Sequence, residues 1–126
     1  MNPDEKKALI DRYLIAYNAF DIEAMLALLH PEIKFKNISG GKVNASASGI
    51  GEFRKLAEQS KKLFSSRQQT MTKFEDTGER TMIEVKFRGV LAMDFNGMKQ
   101  EHVLELIGRS EFQFRDGLIC KITDMS

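Results

Sequence analysis

Residues 80–95, RTMIEVKFRGVLAMDF, carry the pattern on which the fold depends, because apolar side chains recur at alternate positions. In an extended chain such side chains share one face, as a half-buried β-strand requires. That face is formed by Ile83, Val85, Phe87, Leu91 and Met93. Residues 102–115, HVLELIGRSEFQFR, repeat the alternation, and one face consists of His102, Leu104, Leu106, Ser110, Phe112 and Phe114. The two stretches predict a pair of long strands.

Turn signals divide the chain after Ser65 into strands. The signals are Thr77-Gly78, Asn96-Gly97 and Asp116-Gly117. Together with the alternating pattern they predict a four-stranded antiparallel meander. Strands of this length twist, and Gly89 and Gly108 lie where a bulge or kink would let the sheet curl. We therefore expect a strongly curved sheet.

Helical spacing dominates the first part of the chain. Residues 2–5, NPDE, form a capping pattern for a first helix that runs to about Ala19. Asp21 is a candidate cap for a second helix, whose apolar stripe ends before Pro31. A third helix is predicted over residues 53–60, where apolar and basic side chains occupy opposite faces.

Two short strands are predicted between the second and third helices, at residues 33–38 and 43–47. Asn37 shares the apolar face of Ile33 and Phe35 in the first of them. A buried amide is costly unless it is hydrogen-bonded, so Asn37 is expected either in a ligand pocket or bonded to a neighbouring loop.

Composition excludes several classes of function. The chain has 126 residues and a formal net charge of +1, so no strong field attracts nucleic acid or an anionic membrane. The single cysteine, Cys120, is expected to be a small buried hydrophobe, and the two histidines, His30 and His102, are too far apart in sequence for metal-ligand spacing. We predict one domain over residues 1–126 that is cytoplasmic and has neither metal nor cofactor.

A few polar side chains are candidates for chemistry. Tyr13 and Tyr17 lie on the apolar stripe of the first helix, where Tyr17 fits packing and Tyr13 fits packing or pocket lining equally well. His102 begins the inward face of a strand and has a pKa suited to acid–base work. Asp94 and Asp124 fall near strand ends, where we expect them to be solvated. His30, just before Pro31, is expected to interact with the carbonyls of a helix end.

Residues 12–40, RYLIAYNAFDIEAMLALLHPEIKFKNISG, resemble the opening of bacterial ketosteroid isomerases, and residues 112–122, FQFRDGLICKI, resemble the closing hairpin of that family. The matching positions of the first segment are Arg12, Tyr13, Asn18, Ala19, Asp21, Ala27, Leu28 and Gly40. With the order of elements, this resemblance identifies the chain as a member of the nuclear transport factor 2-like superfamily, which includes ketosteroid isomerases, SnoaL-like polyketide cyclases and scytalone dehydratases. It implies a cystatin-like α+β fold, in which a cone-shaped, curved antiparallel sheet wraps around three N-terminal helices.

The resemblance also implies roles for site residues. Tyr13 matches the tyrosine that donates a hydrogen bond to the developing oxyanion in ketosteroid isomerases, and Asn37 matches their general-base aspartate. A looser alignment brings Ser110 near their second, protonated aspartate, although a one-residue slip would bring Arg109 or Glu111 there instead. An amide cannot accept the substrate proton, so the resemblance predicts that this chain does not isomerise ketosteroids.

Two functions fit these observations. The first is a cofactor-independent isomerase, cyclase or dehydratase that acts on a small hydrophobic carbonyl compound, with Tyr13, Asn37 and His102 as catalytic candidates and His102 as the nominated base. Its pocket would be lined by Tyr17, Phe35, Phe87, Ser110 and Phe112. The second is a non-catalytic module that uses the same pocket, or the outer face of the sheet, for a ligand or a protein partner. A buried carboxylate or histidine near Tyr13 would favour the enzyme.

Members of the family that this chain resembles commonly form homodimers, and we expect this chain to do so through the outer face of its sheet. Polar groups with aliphatic stems alternate there, at Thr70, Thr72, Glu84, Glu105 and Gln113. Light scattering at high micromolar concentration should give twice the 14.4 kDa mass of the chain. A single species of 14.4 kDa would contradict the prediction.

Overall fold

The computed structural model describes residues 1–126 as three helices and six strands. In chain order these are α1 (Pro3–Asn18), α2 (Ile22–Ala27), β1 (Leu29–Ser39), β2 (Lys42–Ser48), α3 (Ile50–Leu63), β3 (Phe64–Asp76), β4 (Thr81–Leu91), β5 (Val103–Arg115) and β6 (Leu118–Met125). The predicted α+β architecture is confirmed, and β3 to β6 are the predicted meander.

The helix starts follow the capping chemistry in the sequence. The Asn2 side chain accepts a hydrogen bond from the backbone N–H of Glu5 at 2.8 Å, and the Glu5 carboxylate accepts one from the backbone N–H of Asn2 at 3.0 Å. The side chain of Asp21 accepts from the N–H of Ala24 at 3.1 Å. These bonds satisfy donors that a helix leaves free at its first turn.

The end of α2 differs from the prediction, because the helix stops at Ala27 and β1 already begins at Leu29. His30 therefore belongs to a strand and does not cap a helix. Its Nδ1 accepts a hydrogen bond from the N–H of Glu32 at 3.0 Å, and its Nε2 lies 3.3 Å from the carboxylate of Asp116. Pro31 fits this strand end, where the missing N–H costs little.

All six strands form one sheet in the order β2-β1-β6-β5-β4-β3. Every neighbouring pair is antiparallel except β1 and β6, which run parallel. The last strand of the chain therefore lies in the interior of the sheet, beside the first. The helices pack against one face, and this arrangement leaves the opposite face as the outer surface.

The sequence suggested a bulge or kink at Gly89 and Gly108. The structure has no bulge at either, because the pairing of β4 with β5 continues through both without a shift. Their role is close approach. A Cβ at Gly89 would lie 2.8 Å from ring atoms of Phe64 and Phe87, and one at Gly108 would lie 2.7 Å from the carbonyl oxygen of Met125. The register shifts occur elsewhere, between Asn37 and Ile38, Met71 and Lys73, and Gln113 and Phe114 among others.

The shift between β5 and β6 also changes the position of Cys120. Gln113 pairs with Lys121 and Phe114 pairs with Ile119, so Cys120 is the extra residue of a bulge. It is half-buried, not the buried hydrophobe that strict alternation predicted. Met93, assigned to the inner face from the same alternation, lies beyond the end of β4 and is exposed.

The core lies between the helices and the inner face of the sheet and contains 19 buried hydrophobic residues. Its most completely enclosed members include Ile10 on α1, Ile33 on β1, Ile83 on β4 and Ile122 on β6. Branched aliphatic side chains of this kind pack densely against one another and contribute most of the burial free energy.

Truncation of an isoleucine should therefore depend strongly on the face that it occupies. Ile122→Ala should lower the free energy of unfolding by about 2–5 kcal/mol, since it opens a cavity in the core. Ile107→Ala, the same deletion at a side chain that is 76% exposed on β5, should change it by less than about 0.5 kcal/mol. Urea denaturation measures both, and equal losses would show that the assignment of faces is wrong.

Candidate functional site

A cavity of about 200 Å³ lies between the helices and the inner face of the sheet. We call it the inner chamber, and its lining is Tyr13, Tyr17, Met25, Phe35, Asn37, Ala45, Phe53, Leu56, Ala57, Ser60, Arg67, Gln69 and Asp124. A second cavity of about 360 Å³, the outer chamber, adjoins it. The two share Tyr17, Asn37, Ser60, Gln69 and Asp124, so polar residues form the boundary between them.

Strand register brings three polar side chains together at this boundary. Asn37 on β1 is the partner of Asp124 on β6, and Asp124 is the partner of Ser110 on β5. Paired residues of neighbouring strands project from the same face of a sheet. The three side chains therefore form a row across β1, β6 and β5 that faces the cavity.

Asp124 is the carboxylate of this site. Its Oδ1 accepts a hydrogen bond of 2.6 Å from the hydroxyl of Ser110, which is itself 3% exposed. Burial raises the pKa of the Asp124 carboxyl to about 6, and the hydrogen bond from Ser110 offsets part of that effect. Part of the residue's surface is open to the chambers, so the carboxyl is in an enclosed setting and still able to meet a ligand.

The prediction that Asp124 is solvated is therefore wrong. It rested on the position of Asp124 near a strand end, where carboxylates usually reach water. β6 is an interior strand, however, and Asp124 near its end lines both chambers. Asp124 follows Ile122 at a spacing of two, and this spacing was a signal for an inward side chain that the sequence contained.

Tyr13 projects from α1 into the same chamber and is 6% exposed. Its ring packs edge to face against Phe112, with the ring centroids 6.4 Å apart. Burial raises the pKa of the Tyr13 hydroxyl well above its usual value, and the nearby charge of Asp124 raises it further. The hydroxyl thus stays protonated and can donate a hydrogen bond close to the carboxylate.

Arg67 on β3 is a buried cation in the wall of the inner chamber, with 5% of its surface exposed. Its Nε donates to the carbonyl oxygen of Tyr17 at 3.0 Å, and its Nη1 donates to the hydroxyl of Ser60 at 3.2 Å. The guanidinium carbon lies 3.7 Å from the ring centre of Tyr17 and 4.5 Å from that of Phe20. Its Nη2 is buried without a hydrogen-bond partner. Sequence reasoning missed this residue, since nothing in the sequence pattern around a basic residue in a polar strand indicates that it is buried.

Apart from His102, the side chains that the sequence nominated divide into three groups. Tyr13, Tyr17, Phe35 and Asn37 line the inner chamber, and Ser110 and Phe87 line the outer one. Phe112 is a core residue packed on Tyr13 and lines neither chamber.

His102 does not reach the site. It precedes β5, is exposed, and its backbone N–H donates to the carbonyl of Lys99 in the connecting turn. The alternation of β5 was extended one residue too far, and so a turn residue was assigned to the inner face. The nomination of His102 as the base is therefore corrected by its position.

The site combines an acid–base group with hydrogen-bond donors. Asp124 can take up or release a proton, and the Tyr13 hydroxyl and the Asn37 amide can donate to a substrate oxygen.

No group of three His, Cys, Asp or Glu side chains lies close enough to hold a metal ion. None of the three helices combines the length and apolarity needed to cross a bilayer.

Known structures share this architecture at low sequence identity. A proposed polyketide cyclase from Xanthomonas campestris pv. campestris is 22% identical, with a TM-score of 0.79 over 100% of this chain and 93% of that one. A proposed hydroxylase, AclR from Streptomyces galilaeus, is 19% identical, with a TM-score of 0.77 over 98% of this chain and 89% of its own. A protein of ketosteroid isomerase-like fold from Catenulispora acidiphila, in complex with trimethylamine, is 13% identical, with a TM-score of 0.75 over 92% and 82% of the two chains. Likeness at this level shows the fold.

Sequence comparison gives the family directly. No protein with curated annotation matches the chain. The family model of the SnoaL-like domain matches residues 10–122, which is most of the chain. The match begins within α1 and ends within β6, and it covers α2, α3 and β1 to β5 in full. The chain belongs to the SnoaL-like domain family, within the nuclear transport factor 2-like superfamily.

Proposed function

We propose that this protein is a cofactor-independent enzyme that moves a proton on a small carbonyl compound, as an isomerase or cyclase does. One observation carries the proposal, namely the Asp124 carboxyl at the boundary of the two chambers with its pKa raised to about 6. A base is most effective when its pKa lies near the working pH, and perturbed carboxyls in cavities mark functional sites.

The chemistry begins with removal of a proton from a carbon beside the substrate carbonyl. The ionised carboxylate of Asp124 accepts that proton and becomes a neutral acid, while the electron pair of the C–H bond moves to the carbonyl oxygen as an enolate. Tyr13 donates a hydrogen bond to the enolate oxygen, and the Asn37 amide is a second donor beside it. Donors positioned where charge develops stabilise the transition state.

The second half of the reaction returns the enzyme to its starting state. If Asp124 delivers the same proton to a different carbon, the substrate is isomerised. If the enolate carbon attacks another carbonyl of the same molecule, the new alkoxide takes the proton and a ring is closed. Both outcomes use one carboxyl and no cofactor, because no electrons are gained or lost overall.

Asn37 does not imply that the site lacks a base. The sequence suggested a site that had lost its base, because an amide stands where resembling isomerases have a carboxylate. The in-register partner of Asn37 on β6 is Asp124, so a carboxylate is supplied from the neighbouring strand. A pocket with an all-apolar floor would instead have supported a non-catalytic binding module.

Abstraction of a proton from an activated carbon acid tests the base directly. The wild type should accelerate ring opening of a nitrobenzisoxazole, and Asp124→Asn should lower kcat/KM by about 100-fold or more. The value of kcat/KM should rise with pH to a plateau above about 6, because only ionised Asp124 accepts the proton.

A matched control is Asp94→Asn, since Asp94 is exposed and an amide oxygen can still accept the hydrogen bond from the N–H of Gln100. This variant should leave the rate unchanged. Equal rates for wild type and Asp124→Asn would contradict the role of Asp124, and a wild type without any acceleration would favour the binding module.

The raised pKa of Asp124 should also appear in the stability of the fold. In the unfolded chain the carboxyl ionises near its usual value of 3.8, whereas in the folded protein it holds its proton to about 6. Stability from this group is therefore present below pH 4 and is lost as pH rises through 6. The loss reaches up to about 3 kcal/mol at pH 7.

Asp124→Asn removes this titration while retaining an oxygen that can accept from Ser110. The variant should match the wild type in free energy of unfolding below pH 4 and exceed it increasingly up to pH 7. Chemical denaturation at a series of pH values measures the difference. A difference that does not vary with pH would show that the carboxyl of the folded protein titrates normally.

A further inference from the structure

We propose that Arg67 binds an anionic oxygen of the ligand, so that the substrate of this site is a small carbonyl compound that also carries a carboxylate. The inference names the substrate class of the site proposed above. It rests on the inner chamber being the ligand site and not on Asp124 being the base.

Structural duties account for only part of the Arg67 guanidinium. Nε binds a carbonyl at the end of α1, Nη1 binds Ser60 on α3, and the plane stacks against Tyr17 and Phe20. These contacts fasten two helices to β3. Nη2 remains, with two N–H donors and no partner. A buried donor without a partner destabilises the fold, and more so when it is charged, so a purely structural side chain gains nothing from it.

The charge of Arg67 is also unanswered within the protein. Asp124 is the carboxylate in the same chamber, but its hydrogen bond comes from the hydroxyl of Ser110 and not from Arg67. An arginine keeps its positive charge even when burial lowers its pKa. A buried cation without a counter-ion is matched best by an anion that enters from outside, through short charge-assisted hydrogen bonds.

The shape of the inner chamber limits the size of that anion. A cavity of about 150 Å³ in another protein holds benzene, so the 200 Å³ chamber fits one ring with a few substituents. Phe35 and Phe53, packed edge to face at 5.7 Å, give the chamber an apolar wall for the ring. Arg67 and Asp124 both line the chamber. Such a ligand would place its carboxylate against Arg67 and its reacting carbon against Asp124.

Benzoate and benzamide are matched probes, since they have nearly the same shape and differ in charge. Isothermal titration of the wild type should show benzoate binding at least about tenfold more tightly than benzamide, as charge-assisted hydrogen bonds are about twice as strong as neutral ones. Arg67→Gln should bring the ratio to about one. Arg88→Gln, at an exposed arginine on β4, is the control and should keep the wild-type ratio.

Arg67 also fastens two helices, so a second measurement uses the intact protein. In the wild type, benzoate should shift the nitrogen-15 signals of the Arg67 side chain, and benzamide should leave them in place. Equal affinity of the wild type for the two probes, or benzoate binding that does not perturb Arg67, overturns the inference.

The Asp124→Asn variant separates this inference from the proposed function. It should retain the preference for benzoate, because binding of the acid group does not use the base. A wild type that prefers benzoate but shows no proton-transfer activity would count against the proposed function alone. A wild type that transfers the proton but binds both probes equally would count against the ligand carboxylate alone.

Discussion

The parallel pairing of β1 with β6 is the constraint on which the rest of the structure depends. It joins the first strand of the chain to the last in the interior of one sheet and sets Asn37 beside Asp124. Side chains alternate between faces with a period of two, so a slip of one residue would turn Asp124 towards the outer surface. Ile122 and Phe35 pair within the same register and pack on the helix side, and their burial makes that slip costly.

The site puts polar groups where the fold would otherwise place hydrophobic ones. Ser110, Asp124 and Arg67 all occupy positions that face the helices, and each loses water on folding. Ser110 and Asp124 satisfy one another, whereas Arg67 is satisfied only in part. The aliphatic core around Ile10, Ile83 and Ile122 supplies the stability that makes this loss tolerable.

Most of the fold was readable from the sequence, because periodicity and capping are local signals. The alternation in residues 80–95 and the cap at Asn2 predicted elements that the structure contains. The pairing of distant strands has no local signal, and this is why the sequence did not reveal that Asp124 lies beside Asn37. His102 failed for a different reason, since alternation cannot show where a strand begins. Tyr13 and Asn37 were found through their positions on apolar faces and through resemblance, whereas Arg67 had neither a pattern nor a matching motif.

The carbonyl of Tyr17 belongs to the last turn of α1 and accepts hydrogen bonds from the backbone N–H of Phe20 and from Nε of Arg67. The Arg67 side chain therefore both holds the end of α1 and lines the ligand chamber. Ligand binding in the chamber is thus coupled to the stability of that helix end. Any molecule that engages Arg67 should slow amide exchange at the end of α1, and any substitution that frays this helix should weaken binding, because the coupling between the two is reciprocal. The helix that supports the chamber therefore contributes to the affinity of the site.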